Sequence, residues 1–147
     1  MGGRLVIYRQ DDKGNTTQLN GGFFSAVLDK HKRNWLPCEG EAMGIRLVLN
    51  HFQNQIRESS QITTHYTDSQ PCVLSWKRMR KGAFSTSSRI NTFLTGLSVL
   101  PVELLHKPGR EMFTSDYASR HPPTCDNQRC QICQFTKEWQ EIGDNAL

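Results

Sequence analysis

The chain has 147 residues, enough for one domain with a real core and short for two, with 36% hydrophobic residues and a mean hydropathy of -0.59. No apolar run approaches the roughly 18 residues needed to cross a bilayer, and no secretory apolar stretch follows Met1; this excludes a membrane-helix protein and sets the expected location inside the cell, cytoplasmic or nuclear. The net charge of +4 is mildly basic and unevenly spread, and the five cysteines, three of them between 125 and 133, argue for free thiols or a metal rather than a disulfide framework.

Residues 4–9 read as a strand, since Leu5, Val6, Ile7 and Tyr8 are β-prone, and Asp11, Asp12, Lys13, Gly14 and Asn15 make a turn. A second strand is expected at about 18–28, with Phe23, Phe24, Ala26, Val27 and Leu28 as its apolar groups, so the two form a hairpin; residues 30–33 are a charged connection. From residue 35 or 37 to about 55, Met43, Leu47, Leu49, Phe52 and Ile56, with Ile45 and Val48 beside them, recur at helical spacing and predict a long, half-buried helix. Glu39 and Glu41 fall in its first turns, where the helix dipole favours negative charge.

Residues 62–67 alternate as a half-buried strand, with Thr63, His65 and Thr67 on one face and Ile62, Thr64 and Tyr66 on the other. Asp68 stands at its carboxyl end, where open α/β sheets bind ligands and where an aspartate also serves as a helix cap. A short helix over 71–79 is ended by Gly82, and Ser85–Ser88 can cap another running through Ile90, Phe93, Leu94, Leu97 and Leu100. A brief strand at 102–106 closes on Lys107, Pro108 and Gly109, and a small helix at 112–120 carries Asp116. The order describes a mixed α/β sheet with flanking helices over residues 1–120, followed by a Cys-rich linker over 121–147.

Glu41, Asp68 and Asp116 each have a plain structural role open to them, respectively dipole stabilisation, capping and surface solvation. Together with Gly22-Phe23-Phe24-Ser25-Ala26-Val27-Leu28, Glu39-Gly40-Glu41-Ala42-Met43-Gly44-Ile45, Thr67-Asp68-Ser69, and Gly109 through Ser115-Asp116-Tyr117-Ala118-Ser119-Arg120, the chain resembles the ribonuclease H domain of LTR-retrotransposon reverse transcriptases. The resemblance implies a ribonuclease H-like fold that hydrolyses the RNA strand of RNA/DNA hybrids through two Mg²⁺ ions, with Glu41, Asp68 and Asp116 as ligands and His106 assisting proton transfer. Glu41 rather than Glu39 aligns with the family's glutamate, which leaves Glu39 as an expected surface group. The family's first strand, with its own aspartate, has no counterpart here, and Asp11 and Asp12 at a hairpin tip are no substitute; an impaired fragment of a Pol polyprotein is therefore expected, with polymerase upstream and integrase downstream as partners. The rival is a non-catalytic nucleic-acid-binding remnant.

Trp76 and the basic cluster Lys77, Arg78, Arg80 and Lys81, with Arg89 nearby, sit at a helix end, where cations are favoured on structural grounds alone. The resemblance assigns this region to the DNA strand's phosphates, and Ser85, Thr86 and Ser88 can add neutral contacts. His121, Cys125, Cys130 and Cys133 have the ligand types and spacing of a tetrahedral Zn²⁺ site, against which stands a linker with incidental thiols. Cys38 and Cys72 read as semi-buried structural residues.

Overall fold

The structure is a computed structural model that describes residues 1–26, 35–109, 125, 127 and 129–146. Within these residues the protein is a mixed α/β fold with two two-stranded sheets and five helices. Strands β1 (Gly2–Gln10) and β2 (Thr16–Ser25) form an antiparallel hairpin with an irregularity between Leu5 and Val6. Its turn is held by Asp11, whose carboxylate accepts from the Lys13 and Asn15 amides at 2.9 and 2.8 Å. Strands β3 (Thr63–Thr67) and β4 (Val102–His106) pair in parallel, Thr63 opposite Val102 and Thr67 opposite His106. Among the described residues the two pairs are not hydrogen-bonded to each other, so every strand keeps one open edge.

The helix expected to be half-buried is instead central. Helix α1 (Pro37–His51) buries Ala42, Met43, Ile45, Leu47, Val48 and Leu49. Three consecutive buried residues, 47 to 49, cannot share one stripe of a helix, and α1 is accordingly covered on several sides by β1, helix α3 (Gln70–Arg80), helix α4 (Ser88–Thr95) and helix α5 (Gln131–Asp144). At Phe52 the helix breaks, and a short α2 (Gln53–Glu58) continues it to Ile56, which is buried. The second expected long helix also divides: α4 ends at Thr95, and a 3₁₀ turn, Gly96–Val99, carries buried Leu97. Phe93, Leu94 and Leu97 from this unit join Met43 and Leu47 in the core, each fully buried side chain contributing about 1.5–3 kcal/mol.

Helix α3 ends on a backbone motif that the sequence signalled through Gly82. Gly82 takes φ +89°, and its N–H bonds to the Met79 carbonyl while Ala83 N–H reaches back to that of Arg78, both at 3.0 Å. Helix α4 is capped by Ser87, whose hydroxyl accepts from the Ile90 amide at 3.3 Å.

Helix α5 lies in the segment read from sequence as a linker, yet it is seated on α1 and α4. Its Trp139 ring meets Phe93 at 6.3 Å between centroids and carries the Arg46 guanidinium at 4.9 Å. At its far end Trp35 Nε1 donates to Asp144 at 2.8 Å, and Arg89 Nε donates to the Gly143 carbonyl at 2.9 Å.

Candidate functional site

Asp68 leaves the carboxyl end of β3 and is exposed. The turn that presents it is fixed by the Thr67 hydroxyl, which accepts from the Ser69 amide at 3.2 Å, and by Lys107 N–H, which donates to the Thr67 carbonyl at 2.9 Å. The second bond brings the loop after β4 against the same end of the sheet. Gly109 in that loop lies so close to the carboxylate that a Cβ there would sit 3.0 Å from Asp68 Oδ2. His106, the last residue of β4 and the partner of Thr67 in the register, is exposed at the same strand ends.

Glu41 is exposed in the first turns of α1. Its charge is felt by Cys72, four residues beyond Asp68: burial pushes this thiol up to about 11, against a hydrogen bond from Ser69, and the charges of Glu41 and Cys38 add to the rise. Cys72 is therefore a protonated, inert core residue, and its Sγ donates to the Cys38 carbonyl at 3.4 Å. His65, on the inner face of β3, is held neutral at pH 7 because burial pushes its imidazole down to about 4; it belongs to the packing and not to the exposed strand ends.

The strand ends thus carry Asp68 and His106, Glu41 is exposed in the first turns of α1, and Asp116 lies outside the described residues. Oxygen donors suit Mg²⁺ in kind. Among the described residues, Glu41, Asp68 and His106 do not form a cluster of three within common ligating distance.

Glu39 overturns its expected role as a surface group. It is 6% exposed. Its Oε1 accepts the Leu36 amide at 2.9 Å, as a glutamate at the third helical position does in a capping box, and it lies 3.3 Å from Arg89 Nη1; Oε2 accepts the Ser87 hydroxyl at 2.7 Å. Burial alone would raise its pKa, but these hydrogen bonds and the Arg89 charge outweigh it and hold the carboxyl below the usual range. The signal was in the sequence as a glutamate three residues after the helix entry.

Arg89 is consumed in the same network. Besides Glu39 and the Gly143 carbonyl it lies over the Trp35 ring at 4.9 Å, so its guanidinium is engaged within the protein. Lys77, Arg78 and Arg80 on the last turn of α3 and Lys81 at its C-cap are all exposed, where the dipole favours them, and Arg80 stacks on Trp76 at 4.8 Å. Ser85 is locked in front of α4: its N–H and C=O both bond to the Asn91 side-chain amide, at 2.9 and 2.8 Å, and its hydroxyl accepts from the Ser87 amide. Ser88 is half-buried in the first turn of α4.

The remaining ligand types gather at the N-terminus of α5. Cys125, Cys130 and Cys133 lie within 4.8 Å of one another and could hold a metal such as zinc. Cys130 is the N-cap; backbone N–H groups of Cys133 and Ile132 and the neighbouring thiols hold its pKa down, while hydrogen bonding with Cys125 and Cys130 pushes Cys133 up to about 11. His121, the expected fourth ligand, lies outside the described residues.

Comparison with known proteins bears on the origin of this arrangement. Over 118 residues, 80% of its length, the chain is 25% identical to the retrovirus-related Pol polyprotein from transposon opus of Drosophila melanogaster. The similarity supports a Pol-derived origin. The chain spans 11% of that polyprotein, so it corresponds to a small region of it. No family model matches the chain, and no solved structure matches it significantly. Among the described residues no helix is long and apolar enough to cross a membrane.

Proposed function

We propose that this Pol-derived region is a ribonuclease H-type module that binds RNA/DNA hybrids and hydrolyses their RNA strand. The observation that carries the reading is the position of Asp68: an exposed carboxylate at the carboxyl end of a parallel strand pair, against Gly109 of the neighbouring loop. In α/β sheets this is the end at which ligands bind. Glu41 and Asp68, joined by Asp116, are the residues that would hold Mg²⁺. A Mg²⁺ ion held there would supply polarisation of the scissile phosphate and a lowered pKa for the attacking water.

The chain's own residues supply the rest. His106, exposed at the end of β4, stands at the same strand ends as Asp68, where a histidine side chain can assist proton transfer. The last turn of α3 and its C-cap Lys81 hold four exposed cations for the phosphates of the DNA strand, and Ser85 and Ser88 stand at the start of the next helix for neutral contacts. The polymerase and integrase portions of a Pol polyprotein are the proposed neighbours.

A second reading is favoured by a specific observation. Lys77, Arg78, Arg80 and Lys81 are exposed at the end of α3, which by itself suits a nucleic-acid-binding remnant that grips hybrids without cutting them. Incubating a labelled hybrid with the chain and Mg²⁺ separates the two. Binding with RNA cleavage that Asp68→Asn lowers by roughly 100-fold or more, the scale of losing one pre-organised electrostatic group, supports the nuclease. Binding without cleavage supports the remnant, and absence of binding at low salt overturns both.

A further inference from the structure

The Cys-bearing start of α5 lies apart in sequence from the residues proposed above for hybrid cleavage and hybrid binding. We propose that Cys125, Cys130 and Cys133 bind one zinc ion as a trithiolate, and that the ion ties the chain before α5 to the first turn of that helix. The three sulfur positions fall within 4.8 Å of one another. Around a tetrahedral zinc with bonds of about 2.3 Å, neighbouring sulfurs stand about 3.8 Å apart, so the trio has to close by only about 1 Å. Thiolates are soft ligands that select zinc over the hard magnesium and calcium ions.

Neither a disulfide nor core packing accounts for the trio as well. A disulfide, with its bond of about 2.05 Å, joins two sulfurs and leaves the third without a partner, whereas here all three converge. Core packing fails because Cys125 is exposed and Cys130 and Cys133 are only partly covered, in contrast to buried Cys72. The spacing also matches the topology of such sites: Cys130 at the N-cap and Cys133 at the third helical position project from one turn, and Cys125 arrives from the preceding segment. The fourth coordination position is left to a ligand from outside the trio.

The anchored helix is the one that closes the Arg89 network. Phe135 and Trp139 of α5 pack on the core, and Gly143 at its far end accepts from Arg89, which in turn meets Glu39 at the start of α1. Fixing the near end of α5 with an ion therefore stabilises the seat of the whole helix, since loop closure by a metal removes chain entropy from the unfolded state.

The full chain, reduced and stripped with a chelator, is to be titrated with Co²⁺ and then Zn²⁺. One Co²⁺ per chain with a thiolate charge-transfer band, displaced by Zn²⁺, is expected. Cys130→Ser should weaken zinc binding by roughly 100-fold or more, beyond the 10–100-fold typical of losing an outer partner of a ligand, while Cys38→Ser leaves it unchanged. Because a variant can fail to fold, hydrogen exchange on the unaltered chain gives a second measurement: chelation should speed exchange of the α5 amides and leave the β1–β2 hairpin unaffected. Absence of a thiolate band in the reduced chain, a band that survives both Cys130→Ser and Cys133→Ser, or α5 exchange indifferent to zinc would each overturn the proposal. Asp68→Asn should bind the ion with unaltered affinity, so the site stands or falls separately from the nuclease reading.

Discussion

Glu39 and Glu41 are two residues apart on one helix and have opposite fates. Around Glu39, Leu36, Ser87 and Arg89 satisfy both carboxylate oxygens, and Arg89 carries the connection on to Trp35 and Gly143. Around Asp68 and His106 the side chains are exposed and the backbone is what is fixed, through Thr67 and Lys107, and Glu41 is likewise exposed on the regular backbone of α1. A charged group whose hydrogen-bonding capacity is spent inside the protein has little left for a ligand. One held in place by its backbone keeps that capacity available, and this difference separates the structural acid from the candidate functional one.

Breaking the closed side of the comparison gives the largest effect. Glu39→Ala removes the bond to the Leu36 amide, a charge-assisted bond from Ser87, and the partner of half-buried Arg89. A loss of about 3 kcal/mol is expected from these together, measured by urea unfolding. Glu41→Ala should stay within about 0.5 kcal/mol of the unaltered chain, as exposed positions do. Equal losses at the two positions would erase the distinction.

Gly143 tests how far the closed network reaches. A Cβ at this position would run into the Trp35 ring and come within 2.7 Å of Phe93 Cζ. Both neighbours are aromatic rings in the core and cannot yield as a flexible chain end would, so Gly143→Ala is expected to cost about 2 kcal/mol through overpacking. Calorimetry that finds Gly143→Ala neutral would mean that α5 is seated more loosely than its contacts indicate.

Local chemistry made much of this legible in sequence. The β4 strand at 102–106, the hairpin turn at Asp11, the Gly82 stop and the Ser87 cap all depend on residues next to one another, and the structure places them where the spacing does. What was not legible depends on partners distant in the chain. Nothing near Glu39 announces Arg89, fifty positions away, so a first-turn acid read as solvated turned out to be enclosed. The centrality of α1 was hidden for the same reason, because coverage on several sides comes from elements spread over the whole chain. On β3 the alternation was readable but its direction was not: Ile62 and Tyr66 are 68% and 51% exposed, while Thr67 is buried. Tyr66 instead lies under Lys107, at 5.1 Å, on the side away from the core.

The smallest predicted effect concerns the cations, where the same contrast recurs. Lys77, Arg78 and Lys81 project into solvent from the end of α3, and Arg89, close to them in sequence, is bound internally. Each phosphate contact contributes close to one unit of slope to the dependence of log affinity on log salt. Lys81→Gln should therefore lower hybrid affinity roughly fivefold at 0.1 M salt and reduce that slope by about 1, with no change in unfolding free energy. Arg89→Gln should do the reverse, lowering stability through the loss of Glu39's partner while leaving the salt slope unaltered. Filter-binding titrations at several salt concentrations, paired with unfolding curves, measure both quantities on each variant. A salt slope that falls equally for Lys81→Gln and Arg89→Gln would place Arg89 at the nucleic acid and dissolve the division between closed and open charges.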